Sequence, residues 1–138
     1  MSAPEEMLVG DRGGDHVAIY AIKYGHEDWL HAKVRVACGG WNGGFNASFM
    51  KGEFGKLAEE LRSLHSNLAA YVDFEPTESY IKLSFSRDGK GHVRINGRAY
   101  SPFSVDTELS FAFNIDQTFL KGIINALLTI ESGWKVPT

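Results

Sequence analysis

The sequence of 138 residues contains one cysteine, Cys38, and only four prolines. A single cysteine excludes an intrachain disulfide, and with it the small secreted scaffolds that disulfides stabilise. Cys38 ends the apolar run 34–38, which favours a structural role over a reactive thiol. Few prolines beside 15 glycines indicate turns between strands rather than a proline-rich linker.

Long hydrophobic runs are also missing, since no apolar stretch approaches the ~18 residues that would indicate a membrane span. Residues 1–6 are acidic and lack the basic-then-apolar layout of a signal peptide. We therefore expect a cytoplasmic protein without membrane association, with residues 1–6 forming a flexible N-terminus. The formal net charge of −3 gives no overall bias towards polyanions.

Sequence motifs of common enzymes are not found. The five histidines show no metal-ligand spacing with one another or with Cys, Asp or Glu. Gly-x-Ser-x-Gly is absent, and the glycine-rich segment 39–44 lacks the Lys-Ser/Thr ending of a phosphate-binding loop, so a hairpin loop is the better interpretation. Carboxylate pairs such as Asp73 with Glu75, or Asp88 with Asp116, need no catalytic role because acids are common near turns and helix caps. We expect no enzyme activity, no cofactor and no metal.

A length of 138 residues, 43% of them hydrophobic and 12% aromatic, predicts one domain spanning residues 1–138 with a sizeable core. Apolar and polar residues alternate with period two, as in strands with one buried face. The segments concerned are 28–37, 45–49, 79–85, 92–96 and 108–115. Segment 16–24 is apolar on both faces, which favours a central strand.

Two segments have a helical period instead. Within 53–70 an apolar stripe spaced by three and four residues comprises Phe54, Leu57, Leu61, Leu64 and Leu68. Within 117–131 the stripe comprises Leu120, Ile123, Ile124, Leu127 and Leu128. Asp116 is placed to cap the second helix. The predicted fold is α+β: a single antiparallel sheet of about six strands with two helices on one face, in the order strands, helix, strands, helix.

The polar faces of these strands suggest a binding surface. If the strands are neighbours, cations and aromatic side chains share the open face of the sheet, while acids lie on helices and loops. The seven candidate partner-binding residues are Trp29, His31, Lys33, Arg35, Tyr80, Lys82 and Arg94, and His92 lies on the same polar faces. A solvated sheet face is the plainer interpretation. As a contact surface it would suit an acidic protein better than RNA, because no ribonucleoprotein-type aromatic motif is found. Trp41 is either a binding anchor or folded back on the core.

Three segments together resemble a known family. They are Asp28-Trp29-Leu30-x-Ala32-x-Val34-x-Val36, then Glu53-Phe54-x-x-Leu57-x-x-x-Leu61-x-x-Leu64, and Glu108-Leu109-x-Phe111-x-Phe113-x-Ile115-Asp116-Gln117-Thr118-Phe119-Leu120. In this order, over roughly residues 16–130, the chain resembles the WapI family of bacterial immunity proteins and its actinobacterial relatives of unknown function. The matching positions are structural, so the resemblance carries over no catalytic residue.

The resemblance implies a non-enzymatic protein that binds and neutralises the toxin domain of a polymorphic secreted toxin. The alternative is a small-ligand or RNA-binding module, although a nucleic-acid partner is less expected. Two copies could pair through an edge strand or through the open sheet face, but isolated charges on that face partly oppose such pairing.

Overall fold

A computed structural model describes residues 6–134 of the chain. The elements have these bounds: β1 Met7–Gly10, β2 His16–Tyr24, β3 Trp29–Cys38, β4 Trp41–Met50, α1 Glu53–His65, β5 Tyr71–Phe74, β6 Ile81–Arg87, β7 His92–Tyr100, β8 Glu108–Asp116 and α2 Leu120–Ser132. A 3₁₀ turn, Gln117–Phe119, leads into α2. Of the N-terminal segment predicted to be flexible, residues 1–5 lie outside the described residues.

The strands form two sheets. Antiparallel strands β1-β2-β3-β4 make sheet 1, and β5-β6-β7-β8 make sheet 2, each in chain order. The mixed α+β content is confirmed, but the predicted single sheet of about six strands with both helices on one face is wrong. Alternation shows that one face of a strand is buried, but it does not show which strands pair. Helix α1 lies between β4 and β5 in sequence and separates two four-stranded meanders.

Several boundaries also differ from the sequence pattern. β1 and β5, four residues each, are too short to show a period. The glycine-rich segment is a hairpin turn only at Gly39 and Gly40, which have positive φ, and β4 starts at Trp41. Asn96-Gly97 has the composition of a turn but lies inside β7, where the Phe111 ring covers Gly97. Such a ring across a strand glycine replaces the missing side chain.

Helix α1 is shorter than its predicted span. It ends at His65, where Asn67 adopts a left-handed conformation and the Leu68 N–H donates to the Ser63 carbonyl. This reversal carries Leu68 off the apolar stripe, so that 82% of its surface is exposed. The other four stripe residues are buried. Asp116 caps the 3₁₀ turn that leads into α2, because its carboxylate accepts from the Thr118 N–H at 2.9 Å. α2 itself starts at Leu120 without a side-chain cap.

One hydrophobic cluster joins both sheets and both helices. The rings of Phe49 in sheet 1, Phe54 in α1 and Phe74 in sheet 2 pack together, with centroids 5.0–6.2 Å apart. We call sheet 1 with α1 the first half of the protein, and sheet 2 with α2 the second half. The helices contact each other, and each also approaches the sheet of the other half: α1 lies near β5 and α2 near β1. The two halves are therefore interlocked rather than stacked.

Both ends of α1 are completed by side chains from the second half. The Glu131 carboxylate of α2 accepts from the Gly52 and Gly55 N–H groups at the start of α1, at 3.0–3.1 Å. The Arg87 guanidinium of β6 donates to the Leu64 carbonyl at 2.6 Å, at the other end. A carboxylate at the N-terminus and a cation at the C-terminus also complement the helix dipole.

Candidate functional site

The outer face of sheet 1 places its cations side by side. Directly paired residues on antiparallel strands point to the same face. Lys33 of β3 lies opposite Tyr20 of β2, His31 lies opposite Lys23, and Arg35 follows Lys33 on the same face of β3. We call Lys23, His31, Lys33 and Arg35 the sheet 1 cationic face; all four side chains are exposed.

A β-bulge brings Lys23 into this group. The register shifts between Tyr20 and Lys23, and Ala21 has a positive φ of 53°. The extra residue reverses the faces beyond it. Lys23 then lies opposite His31, while Tyr24 turns inwards and its hydroxyl donates to the Ile130 carbonyl at 2.7 Å. The bulge therefore couples the position of a surface cation to the end of α2.

No carboxylate neutralises this face from within its own sheet. The four strands of sheet 1 contain no Asp or Glu. The side chains of Lys23, Lys33 and Arg35 make no hydrogen bond or ion pair with residues in the part of the chain that the structure describes. His31 bonds through Nδ1 to the Ser48 hydroxyl at 2.8 Å. The face thus presents unpaired positive charge to solvent.

The outer face of sheet 2 also carries cations, but these have partners. Arg94 donates to the Asn114 Oδ1 at 3.3 Å, and the Lys82 Nζ lies 5.7 Å from the centroid of the Tyr100 ring. Tyr100 first, and then Glu108, raise the pKa of Arg98. The strands also contain carboxylates at Asp73, Glu108 and Asp116. Charge on this face is largely balanced within the sheet.

Carboxylates near the ends of β7 and β8 are held in the ionised form. Asp88 accepts from the Lys90 and His92 N–H groups at 2.7 and 3.0 Å. These bonds lower the pKa of Asp88, and the bonds from Thr118 lower the pKa of Asp116. His92 lies close to Asp88, with Nδ1 3.2 Å from its Oδ2. The acids and the histidine form a local cap network at the end of the sheet.

The seven candidate residues from the sequence therefore do not share one surface. Trp29, His31, Lys33 and Arg35 lie on the outer face of β3 in sheet 1. Lys82 and Arg94 lie on the outer face of sheet 2. Tyr80 precedes β6 and is half-buried, with its ring edge-on to Phe45 at 6.4 Å.

Sequence patterns missed Lys23 and Tyr20 as members of the sheet 1 face. The bulge at Ala21 breaks the alternation of β2, and no glycine or asparagine there signals the positive φ. Because apolar residues stand on both sides of the bulge, the sequence of β2 resembled that of a strand buried on both faces. The proposed separation of cations on strands from acids on helices and loops holds for sheet 1 and not for sheet 2.

A second feature lies at the edge of sheet 1. An apolar crevice of about 160 Å³ opens between the start of β4 and the β7–β8 loop, lined mainly by Val36, Gly43, Phe45, Pro102, Phe103 and Leu109. Phe103, in the lining of the crevice, is 86% exposed. Trp41, two residues before Gly43, is 73% exposed and so is not folded back on the core.

Within residues 6–134, no group of three or more His, Cys, Asp or Glu side chains is arranged to hold a metal ion. No helix in that range is long and apolar enough to span a membrane. Cys38 is half-buried, and its Sγ lies 3.4 Å from the Ala112 carbonyl oxygen, where β3 approaches β8.

A protein-family model described as the immunity protein WapI-like family matches residues 7–132. The chain belongs to the WapI-like immunity protein family. This match confirms the resemblance drawn from the three sequence segments, and it spans both sheets and both helices. A comparison of this WapI-like chain with curated protein sequences finds no match.

Solved structures share the fold of this WapI-like chain at very low sequence identity. The Trypanosoma brucei MRP1/MRP2 structure matches with a TM-score of 0.52 and 8% identity, over 97% of this chain and 88% of that chain. A guide-RNA-binding protein complex bound to a guide RNA matches with a TM-score of 0.54 and 7% identity, over 97% and 94%. These likenesses show a common fold and nothing further.

Proposed function

We propose that this protein binds the toxin domain of a secreted bacterial toxin and neutralises it by occlusion, without catalysis of its own. The family match over residues 7–132 carries the immunity-type function. The toxin as partner, and the cytoplasm of the producing cell as the place of action, are the finer parts of the proposal.

The sheet 1 cationic face is the proposed contact surface. Its cations are exposed and unpaired among the described residues, so a partner's carboxylates would not have to displace existing ion pairs. Complementary charge speeds encounter and excludes wrong partners. Trp29 at the end of the same face supplies an aromatic side chain of the kind that often anchors interfaces.

Co-expression tests the proposal. The chain is produced together with the toxin domain encoded next to its gene, and growth is scored with and without it. We expect rescue by the wild-type chain, and binding of the purified pair in calorimetry. Failure of the wild-type chain to rescue growth or to bind would contradict the proposed function.

Matched charge reversals locate the surface. Lys33→Glu with Arg35→Glu should weaken toxin binding by tenfold or more, because two unpaired cations become like charges facing an acidic partner. Lys82→Glu with Arg94→Glu changes the net charge equally on sheet 2 and should leave binding within about twofold. Equal effects of the two pairs would show that net charge matters and that the sheet 1 face does not.

RNA binding is the alternative function. The unpaired cations beside Tyr20 and Trp29 on sheet 1 favour it, since cations and aromatic rings together suit single-stranded nucleic acid. One of the structures with this fold is a guide-RNA-binding protein complex bound to a guide RNA. Here the same face would contact phosphates and bases instead of carboxylates.

Single-stranded RNA of mixed sequence separates the two functions. Phosphate contacts release counterions, so RNA binding measured by fluorescence anisotropy would weaken steeply with salt. A thermal shift with RNA should also be clear, because a ligand selective for the folded state raises its melting temperature. We expect neither effect at physiological salt; both together would favour the RNA-binding module.

A further inference from the structure

The outer edge of β4 is satisfied along only one half of its length. The Ser48 N–H donates to the Glu78 Oε1 at 3.0 Å, and the Met50 N–H donates to the Glu53 Oε1 at 2.6 Å. These groups point away from β3, and alternation makes the N–H groups of Asn42, Gly44 and Asn46 point the same way. None of these three has an acceptor among the described residues. Residues 42–46 are therefore an open strand edge.

The apolar crevice lies beside this open edge. Gly44 and Asn46 lie on the outer face of sheet 1, opposite Arg35 and Lys33. Gly43 and Phe45 alternate with them and therefore lie on the inner face, where the crevice is. A Cβ at Gly43 would have no atom within 4 Å, which shows that the glycine leaves the crevice open. Phe103, which lines the crevice and is largely exposed, would lose water contact if an apolar side chain filled it.

Positive charge borders the edge on the other face. Arg35 lies directly opposite Gly44, and Lys33 lies opposite Asn46. Because Gly44 has no side chain, nothing on β4 stands between the Arg35 guanidinium and a strand added beyond it. That strand would lie about 10 Å from β3, two strand spacings away.

We infer that β4 residues 42–46 accept an extended segment of a protein partner as a fifth strand of sheet 1. The added segment places an apolar side chain in the crevice and carboxylates at alternate positions, towards Lys33 and Arg35. Backbone bonds give such strand addition its affinity, and alternate pockets give its specificity. This inference rests on the proposed function, since the segment is assigned to the toxin domain.

A second copy of this chain is disfavoured as the occupant. Pairing two β4 edges would extend one sheet into the other and set two cationic faces side by side. The cations of the two β3 strands would then lie three strand spacings, about 14 Å, apart, and neither face contains a carboxylate to attract the other. An acidic partner supplies the opposite charge that a second copy lacks.

Removing one edge N–H tests the strand addition. Asn46→Pro deletes an outward N–H that the ladder to β3 does not use, and proline is tolerated at strand edges. We expect Asn46→Pro to weaken binding of the adjacent-gene toxin domain at least tenfold in calorimetry. Asn46→Ala, which keeps the N–H, should bind within about twofold of the wild type. Circular dichroism and thermal unfolding confirm that both variants are folded.

Filling the crevice is an independent test. Gly43→Leu places a side chain in the open space and should weaken toxin binding at least tenfold, while Gly43→Ala should have a smaller effect. If the wild type binds and both Asn46→Pro and Gly43→Leu bind equally well, the strand addition is wrong and the proposed function stands. If the wild type does not bind, the proposed function fails and this inference with it.

Light scattering tests the identity of the occupant. We expect the purified chain to be monomeric at micromolar concentration. A dimer that Asn46→Pro dissociates would assign the edge to a second copy and overturn the assignment to an acidic partner.

Discussion

Sheet 1 and sheet 2 have the same strand order and are each followed by a helix, yet their outer faces differ in how charge is satisfied. In sheet 2, Arg94 and Lys82 find partners among neighbouring side chains, and carboxylates lie in the same strands. In sheet 1, Lys33 and Arg35 have no such partners among residues 6–134. Counting cations makes the two faces look alike. The neighbouring side chains distinguish them, because the cations of sheet 2 have partners within the protein and those of sheet 1 are left for a binding partner.

The glycines of the two sheets differ in the same way. Gly97 of sheet 2 is covered by the Phe111 ring, while Gly43 of sheet 1 faces an open crevice. Both are strand residues on the inner face. One glycine makes room for a side chain of the same protein, and the other leaves room that this protein does not fill.

The largest expected effect is on the free energy of unfolding, and it tests whether the two halves form one folding unit. Leu61 of α1 and Leu127 of α2 are fully buried. Leu61→Ala and Leu127→Ala should each lower the free energy of unfolding by about 2–5 kcal/mol, since each leaves a cavity. Because one core joins the halves, we expect a single urea transition in both variants. If hydrogen exchange showed one sheet still protected after the other had opened, the two halves would be independent folding units and this prediction would be wrong.

The glycine pair should give a smaller but sharper contrast. Gly97→Ala would overlap the Phe111 ring and should lower the free energy of unfolding by about 1–3 kcal/mol, the usual cost of overpacking. Gly43→Ala meets nothing and should stay within about 0.5 kcal/mol of the wild type. Urea unfolding measures both, and similar losses for the two variants would contradict the distinction between filled and open positions.

The smallest expected effect is on the pH dependence of stability, and it involves carboxylates of the second half. The pKa values of Asp88 and Asp116 lie below the ordinary value of about 3.9 for aspartate. A lowered folded-state pKa stabilises the fold fully above the unfolded value, and this contribution disappears as pH falls through the folded value. Asp88→Asn with Asp116→Asn should therefore reduce the stability difference between pH 7 and pH 3. An unchanged difference in urea unfolding would assign the acid sensitivity to other groups.

Local patterns predicted the individual elements better than their assembly. The stripe from Phe54 to Leu64 and the alternation through Ile81–Phe85 identified which side chains are buried, because each depends on one element's own period. The division into two sheets depends on which strands pair over long distances, and alternation contains no information on that. Asn96-Gly97 shows the same limit: the pair has the composition of a turn, but the Phe111 ring from the neighbouring strand covers Gly97 and the pair lies inside β7.

The candidate site was predictable only in part. Alternation placed His31, Lys33 and Arg35 together because they share one strand. It could not assign Lys82 and Arg94 to another sheet, nor recruit Lys23 through a bulge. The open edge at residues 42–46 was concealed by its glycines, which favour a loop when the chain is considered without its neighbour β3.

The capping of α1 has a consequence for the order of events during synthesis. The groups that complete its two ends, Arg87 and Glu131, are translated after the helix itself. The four strands and helix of the first half therefore leave the ribosome with exposed helix ends and an unfinished core. Only when α2 has emerged does α1 gain its last partners, so a chain truncated before Glu131 should be a target for proteolysis rather than a working half-protein.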